Sequence, residues 1–197
     1  MHRHRVSVTV LAAALSSCVV EPELLNSERI QSEFGSFGIE IIAYVGGIRR
    51  ANLYSVQNDV RTCRTYAVVR FDNVPADVIG AEHAQIIAGE SIGATFKESG
   101  WRIYKETRHI GELQSARDEH SIRSMMHVDR EQKLAMHVYR LLLRKDEQMI
   151  EYATIVEVHH PEYMTEQRLY DLFAVDTIAE STSSERQAWT KLVVGEG

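Results

Sequence analysis

Apolar and polar positions alternate with a period of two through Phe37, Ile39, Ile41, Ala43 and Val45, and Gly46-Gly47 closes the run. That spacing predicts a first strand, because successive side chains of an extended chain point to opposite faces. Two further runs, Arg49 to Ser55 and Thr62 to Phe71, flank Gln57-Asn58-Asp59, residues that tolerate turn geometry, and predict a hairpin. If Leu53 faces Cys63 and Ala51 faces Thr65, one face carries Ala51, Leu53, Cys63, Thr65, Ala67, Val69 and Phe71 and suits a core. The opposite face then carries Arg50, Asn52, Tyr54, Arg64, Tyr66, Val68 and Arg70.

Helical punctuation follows. Asp77 can cap a helix over Val78 to Ala88 with Gly89 at its end, and Ser91 can cap a second over Ile92 to Ser99, ended by Gly100. Trp101, Ile103 and Lys105 alternate with Arg102, Tyr104 and Glu106 as a fourth strand. Residues 108–132 are charge-rich with a weak apolar pattern, and predict an irregular connection holding one helix.

Leu134 to Leu143 and Met149 to Val158 are β-prone runs around Arg144-Lys145-Asp146-Glu147-Gln148 and predict a second hairpin, with Ile150, Tyr152, Val156 and Val158 on its core side. Pro161 is placed to open a helix carrying Met164, Leu169, Leu172 and Phe173. Thr182 and Glu185 have the spacing of a capping box before a last helix with Trp189, Leu192 and Val193. Hairpins separated by helices, without strict βα alternation, predict an α+β fold: a single, largely antiparallel sheet of about six strands, packed by helices on one side.

Composition adds bounds. The chain has 197 residues, 44% hydrophobic and 25% charged, with three Pro and eleven Gly, which is ordinary globular usage sufficient for one domain. A balance of 22 Lys+Arg against 28 Asp+Glu, with no basic run, disfavours nucleic acid as a partner, since phosphate neutralisation needs a positive field.

The N-terminus carries an address. His2-Arg3-His4-Arg5 precedes the uncharged, apolar stretch Val6 to Leu15, which is too short to span a bilayer and has the layout of a cleaved leader. Leu15-Ser16-Ser17-Cys18 then resembles the lipobox of bacterial lipoproteins, a resemblance confined to residues 1–18. It implies cleavage before Cys18, diacylglycerol on its thiol and, usually, a further acyl chain such as palmitate on its amine. Several acyl chains anchor a protein firmly, so the membrane is the expected partner. Val19 in place of the Asp that favours inner-membrane retention implies the outer membrane, facing the periplasm.

The expected organisation is therefore a signal peptide over 1–17, lipidated Cys18 with a tether over 18–36, and one globular domain over 37–197. With Cys18 alkylated, Cys63 has no thiol partner, and its strand position reads as a small buried hydrophobe.

Three functional classes remain open, one of them a structural lipoprotein without a small-molecule ligand. Arg50, Tyr54, Arg64, Tyr66 and Arg70 share one predicted sheet face, where guanidinium forks and aromatic rings can bind an envelope protein, glycan or lipid. The alternative is an envelope serine hydrolase or esterase: Gly89-Glu90-Ser91-Ile92-Gly93 matches G-x-S-x-G, with Ser91 as nucleophile and Gln85 to Ala88 as a short preceding strand. Asp118 or Asp146 followed by His159 or His160 preserves the required order, whereas no His follows Asp171 or Asp176. His109 with Glu112, His120, His127, and His159-His160 with Glu162 offer ligand atoms. None has zinc-site spacing, and adjacent residues of a strand diverge, so these histidines read as surface residues. No metal and no cofactor is expected.

Overall fold

The computed structural model of the protein describes residues 19–20, 24–113, 119–173 and 181–194; the leader, Cys18, Asp118 and Asp176 lie outside these. The predicted hairpins form around tight turns. Asn58 and Asp59 take positive φ of 49° and 62°, the left-handed pair that lets a two-residue turn match strand twist. They join β3 (Ile48–Gln57) to β4 (Val60–Phe71). Asp146, at φ 52°, opens the corresponding turn between β6 (Ala135–Lys145) and β7 (Gln148–His159).

With β2 (Gly38–Val45), β5 (Arg102–Glu112) and a two-residue edge strand β1 (Val19–Val20), they form one sheet in the order β1-β5-β6-β7-β4-β3-β2. Every pairing is antiparallel. Six long strands in an α+β arrangement are what the alternation predicts. The sheet consists of two meanders, β2-β3-β4 and β5-β6-β7, joined along β4 and β7 from the pair Thr65↔His159 to the pair Phe71↔Ala153.

Helices cover both faces rather than one. On the first face α2 (Ala76–Ala88) and α3 (Ile92–Glu98) bury Ile79, Ile86 and Phe96 against Val69, Tyr139, Leu141 and Ile155, while α1 (Asn26–Phe34) and α5 (Glu166–Phe173) bury Ile30, Leu169 and Phe173 against Ile110 and Ala135. On the second, α4 (Glu119–Met126) and α6 (Ser183–Val194) bury Ile122, Met126 and Val193 against Tyr66, Val68, Val138, Val156 and Val158. A strand covered on both sides is apolar at both parities, which hides the second layer from a period-two reading.

β-Bulges account for the face assignments that differ. Leu53 pairs with Thr65 and Tyr54 with Cys63, so Arg64 is the extra residue of a bulge. The bulge reverses parity, and Cys63 packs with Tyr66 and Val68 on the second face instead of joining Ala67 and Val69. Burial pushes its thiol up to about 12, as suits a structural cysteine. Tyr152 is the extra residue opposite Leu141 and Leu142. Ile150 and Tyr152 therefore face the first layer while Val156 and Val158 face the second.

The segment read as a tether contributes α1, whose Ile30 is wholly buried and whose first turn is closed by the Leu25 N–H donating to Glu28 Oε2 at 2.8 Å. Gly35, at φ 75°, ends it. The last helix starts as predicted: the Thr182 N–H donates to Glu185 Oε2 at 2.8 Å and the Glu185 N–H to Thr182 Oγ1 at 3.3 Å. The helix expected at Pro161 begins later, at Glu166, after a turn over 161–163.

Candidate functional site

The first sheet face carries charge where its alternation demands apolar residues. Arg49 shares a face with Ala51 and Leu53, and Lys105 shares one with Ile103. His137, Tyr139 and Leu141 follow one another on β6, as do Ile155, Glu157 and His159 on β7. Register places His137 directly opposite Glu157, and Thr65 opposite His159. Neighbouring antiparallel strands bring such pairs within reach on one face. Helices α1 and α5 close over Lys105, His137, Glu157 and His159, and the α2–α3 junction lies against Arg49, leaving each less than a tenth exposed.

Buried ions need compensation. Glu157 has it: Lys105 Nζ lies 3.7 Å from its Oε2, and Asn26 Nδ2 of α1 donates to its Oε1 at 3.1 Å. Burial pushes the Glu157 carboxyl up, but Lys105, His159, Asn26 and Tyr139 outweigh that and hold it below its ordinary value. Burial lowers Lys105 in turn, opposed by Glu157, and its ammonium sits over the Tyr139 ring at 4.2 Å.

Arg49 differs. Its guanidinium donates to the Glu90 carbonyl at 2.9 Å, its Nε is buried without a partner, and no carboxylate pairs with it among the described residues. Burial lowers its pKa. It lines a small cleft, about 80 Å³ in volume, between the sheet and the starts of α1 and α3. The walls are mostly apolar, including Leu25, Ile39, Leu53, Ile92, Leu141 and Ile155. Arg49, Lys105 and Glu157 supply charge, and Asn26, Ser27 and Ser91 neutral polar groups. An apolar hollow with a few convergent polar groups is the usual lining of a small-molecule site.

Ser91 therefore reaches a cleft, but not as a nucleophile elbow. Gln85 to Ala88 are helix, not strand, and Ser91 sits at φ −71°, ψ 126°, the extended N-cap of α3. Among the described residues no histidine lines the cleft. His159 and His160 are engaged elsewhere, the latter's Nδ1 accepting from the Glu162 N–H at 3.1 Å. Asp146 is at the far hairpin turn.

The five residues of the predicted binding face have internal occupations. Arg50 donates to the Leu192 carbonyl at 3.2 Å, near the C-terminal end of α6, where the helix dipole favours a cation. Tyr66 is buried beneath α4 and α6. Arg64 is 3% exposed and binds Ser55, Gln57 and Glu162, with its guanidinium 3.8 Å over Phe34. Tyr54 lies under Arg61, and Arg70 pairs with Asp72. They do not form one open surface.

The histidines are largely not at the surface either. His137 and His159 are 0% and 2% exposed and His160 is buried, whereas His127 is exposed and His109 half-buried, stacked on Trp189 at 5.6 Å. The side chain of His120 lies outside the described residues. Sequence reasoning had placed Lys105 in the apolar run with Trp101 and Ile103, and Arg49 has the parity of Ala51 and Leu53. A charge on a core-facing parity was the available signal for both. Comparison of the chain with known protein families and with curated proteins found no match in either.

Proposed function

We propose that the protein is a lipid-anchored binding module of the bacterial envelope, held at the membrane through Cys18 and taking an amphipathic carboxylate into the cleft beside Arg49. The observation that carries this is a buried guanidinium without an acid at the wall of an apolar hollow. An anionic headgroup would supply the missing charge-assisted hydrogen bonds, and an alkyl or aromatic body would cover Leu53, Ile92 and Leu141. Leu15-Ser16-Ser17-Cys18 supports the anchor, and no helix among the described residues is long and apolar enough to cross a membrane.

Titration of octanoate into the purified protein is expected to saturate at one equivalent, with octanol binding at least tenfold more weakly. Equal binding of the two would show that Arg49 does not read charge and would sink the carboxylate reading. Anchoring has its own test. Wild-type protein is expected in the membrane fraction and Cys18→Ala in the soluble fraction or the uncleaved precursor; unchanged processing and fractionation would remove Cys18 from the account.

A further inference from the structure

We infer that His137, Glu157 and His159 form a binding site for a divalent transition-metal ion of the zinc class, on the inner face of β6 and β7. One ligand atom from each lies within 4.8 Å of the other two, and among the described residues no other group of three His, Cys, Asp or Glu brings its donors so close. This site adjoins the Arg49 cleft and shares Lys105 and Glu157 with it, but both histidines line a second, smaller hollow under α1 and α5, with Asn26, Arg29 and Phe173.

The hydrogen bonds of the two rings make the case. His159 Nδ1 meets Thr65 Oγ1 at 3.0 Å, and His137 Nε2 meets Thr107 Oγ1 at 3.1 Å. In each ring the other nitrogen, His159 Nε2 or His137 Nδ1, is buried with no hydrogen-bond partner among the described residues. An orphaned ring nitrogen in a closed interior is costly, and two of them in rings clustered with one carboxylate share one explanation. The pattern is that of metal-bound imidazoles, in which one nitrogen ligates while an outer partner fixes the ring through the other. His159 Nε2 is 3.8 Å from Glu157 Oε2, which leaves room for an ion to draw the donors inward.

Two imidazoles and a carboxylate suit zinc, with Zn–N about 2.0–2.1 Å and one position of a tetrahedron left open. Closing the donors to a tetrahedral edge of roughly 3.4 Å needs side-chain adjustments on the order of 1 Å. The rings are otherwise braced: His137 packs on Tyr139 and Phe173 at 4.7 Å and 4.5 Å, and His159 on Tyr163 at 5.9 Å. Lys105 Nζ, which neutralises Glu157 across 3.7 Å, competes with the ion for the same carboxylate. The hollow meets the surface at Leu24 and Leu172, both partly exposed.

Cobalt(II) serves as the probe, titrated into the full-length protein in mild detergent and followed by its visible absorption, with zinc as competitor. The expected result is one equivalent with a four-coordinate spectrum, displaced by zinc. His137→Gln and His159→Gln should each weaken binding at least tenfold while circular dichroism shows the fold retained. If either variant fails to fold, Thr107→Val is the companion test, removing only the outer partner of His137 and weakening binding about tenfold or more. Lys105→Met, which removes the competing ammonium, should bind cobalt more tightly than wild type. Absence of a cobalt spectrum in the wild-type protein would overturn the site. So would unchanged affinity in every folded variant, which would place the ion on exposed histidines such as His127.

Discussion

Lys105→Met is expected to lower the free energy of unfolding by about 3–5 kcal/mol, because it strands Glu157 in the interior without its cation. The pair is nearly dry, with both side chains about a tenth exposed or less. Breaking one side of a buried ion pair costs far more than exchanging both sides for neutral groups. The measurement is a double-mutant cycle by urea denaturation at neutral pH, comparing Lys105→Met, Glu157→Gln and the combination. The double variant should recover at least half of the loss caused by Lys105→Met. Additive losses would show that the two charges do not depend on each other, and the contact across 3.7 Å would then be incidental.

Arg49→Met should do the opposite to stability. A buried guanidinium with one carbonyl acceptor and an orphaned Nε is a cost the fold carries, while methionine fills similar volume without charge and suits an irregular apolar wall. The expected gain is about 1–3 kcal/mol in unfolding free energy, within the range seen when buried ions are replaced by apolar residues. Octanoate binding should fall by tenfold or more in the same variant, as loss of a charged hydrogen bond predicts. Stability and ligand capture moving in opposite directions is the mark of a residue retained for binding. A variant that is both less stable and unchanged in octanoate affinity would assign Arg49 to packing alone.

How far the chain announces this arrangement depends on which face is read. Turn residues such as Asn58-Asp59 and the box of Thr182 and Glu185 specify local geometry, and the structure forms both where the sequence places them. The second helical layer leaves no such mark, since Val156 and Ile155 are equally apolar and each is buried on its own side. Bulges at Arg64 and Tyr152 are invisible to a period-two count, yet each reassigns the residues beyond it. The site is harder still. Glu157 and His159 read as the polar side of a strand until α1 and α5 cover that side, and His137 meets Glu157 only through a register no local pattern encodes. Ser91 shows the reverse error: a correct motif spelling at a junction between two helices rather than after a strand.

The junction of β4 and β7 has a consequence for how the molecule comes together. Each meander is stitched by neighbours in the chain, but the seam joins Thr65 to His159 and Phe71 to Ala153, so among the six long strands it alone bears the full entropy of closing a long loop. The hairpins β3-β4 and β6-β7 should therefore gain protected amides early in refolding, with the seam last, an order that pulse-labelled hydrogen exchange can follow. Simultaneous protection of seam and hairpins would refute it. Because Thr65 and Arg49 belong to one half and Lys105, His137, Glu157 and His159 to the other, the polar interior is complete only when the halves meet. A chain whose halves fail to meet would leave the charges of β5, β6 and β7 aligned on one face but hydrated.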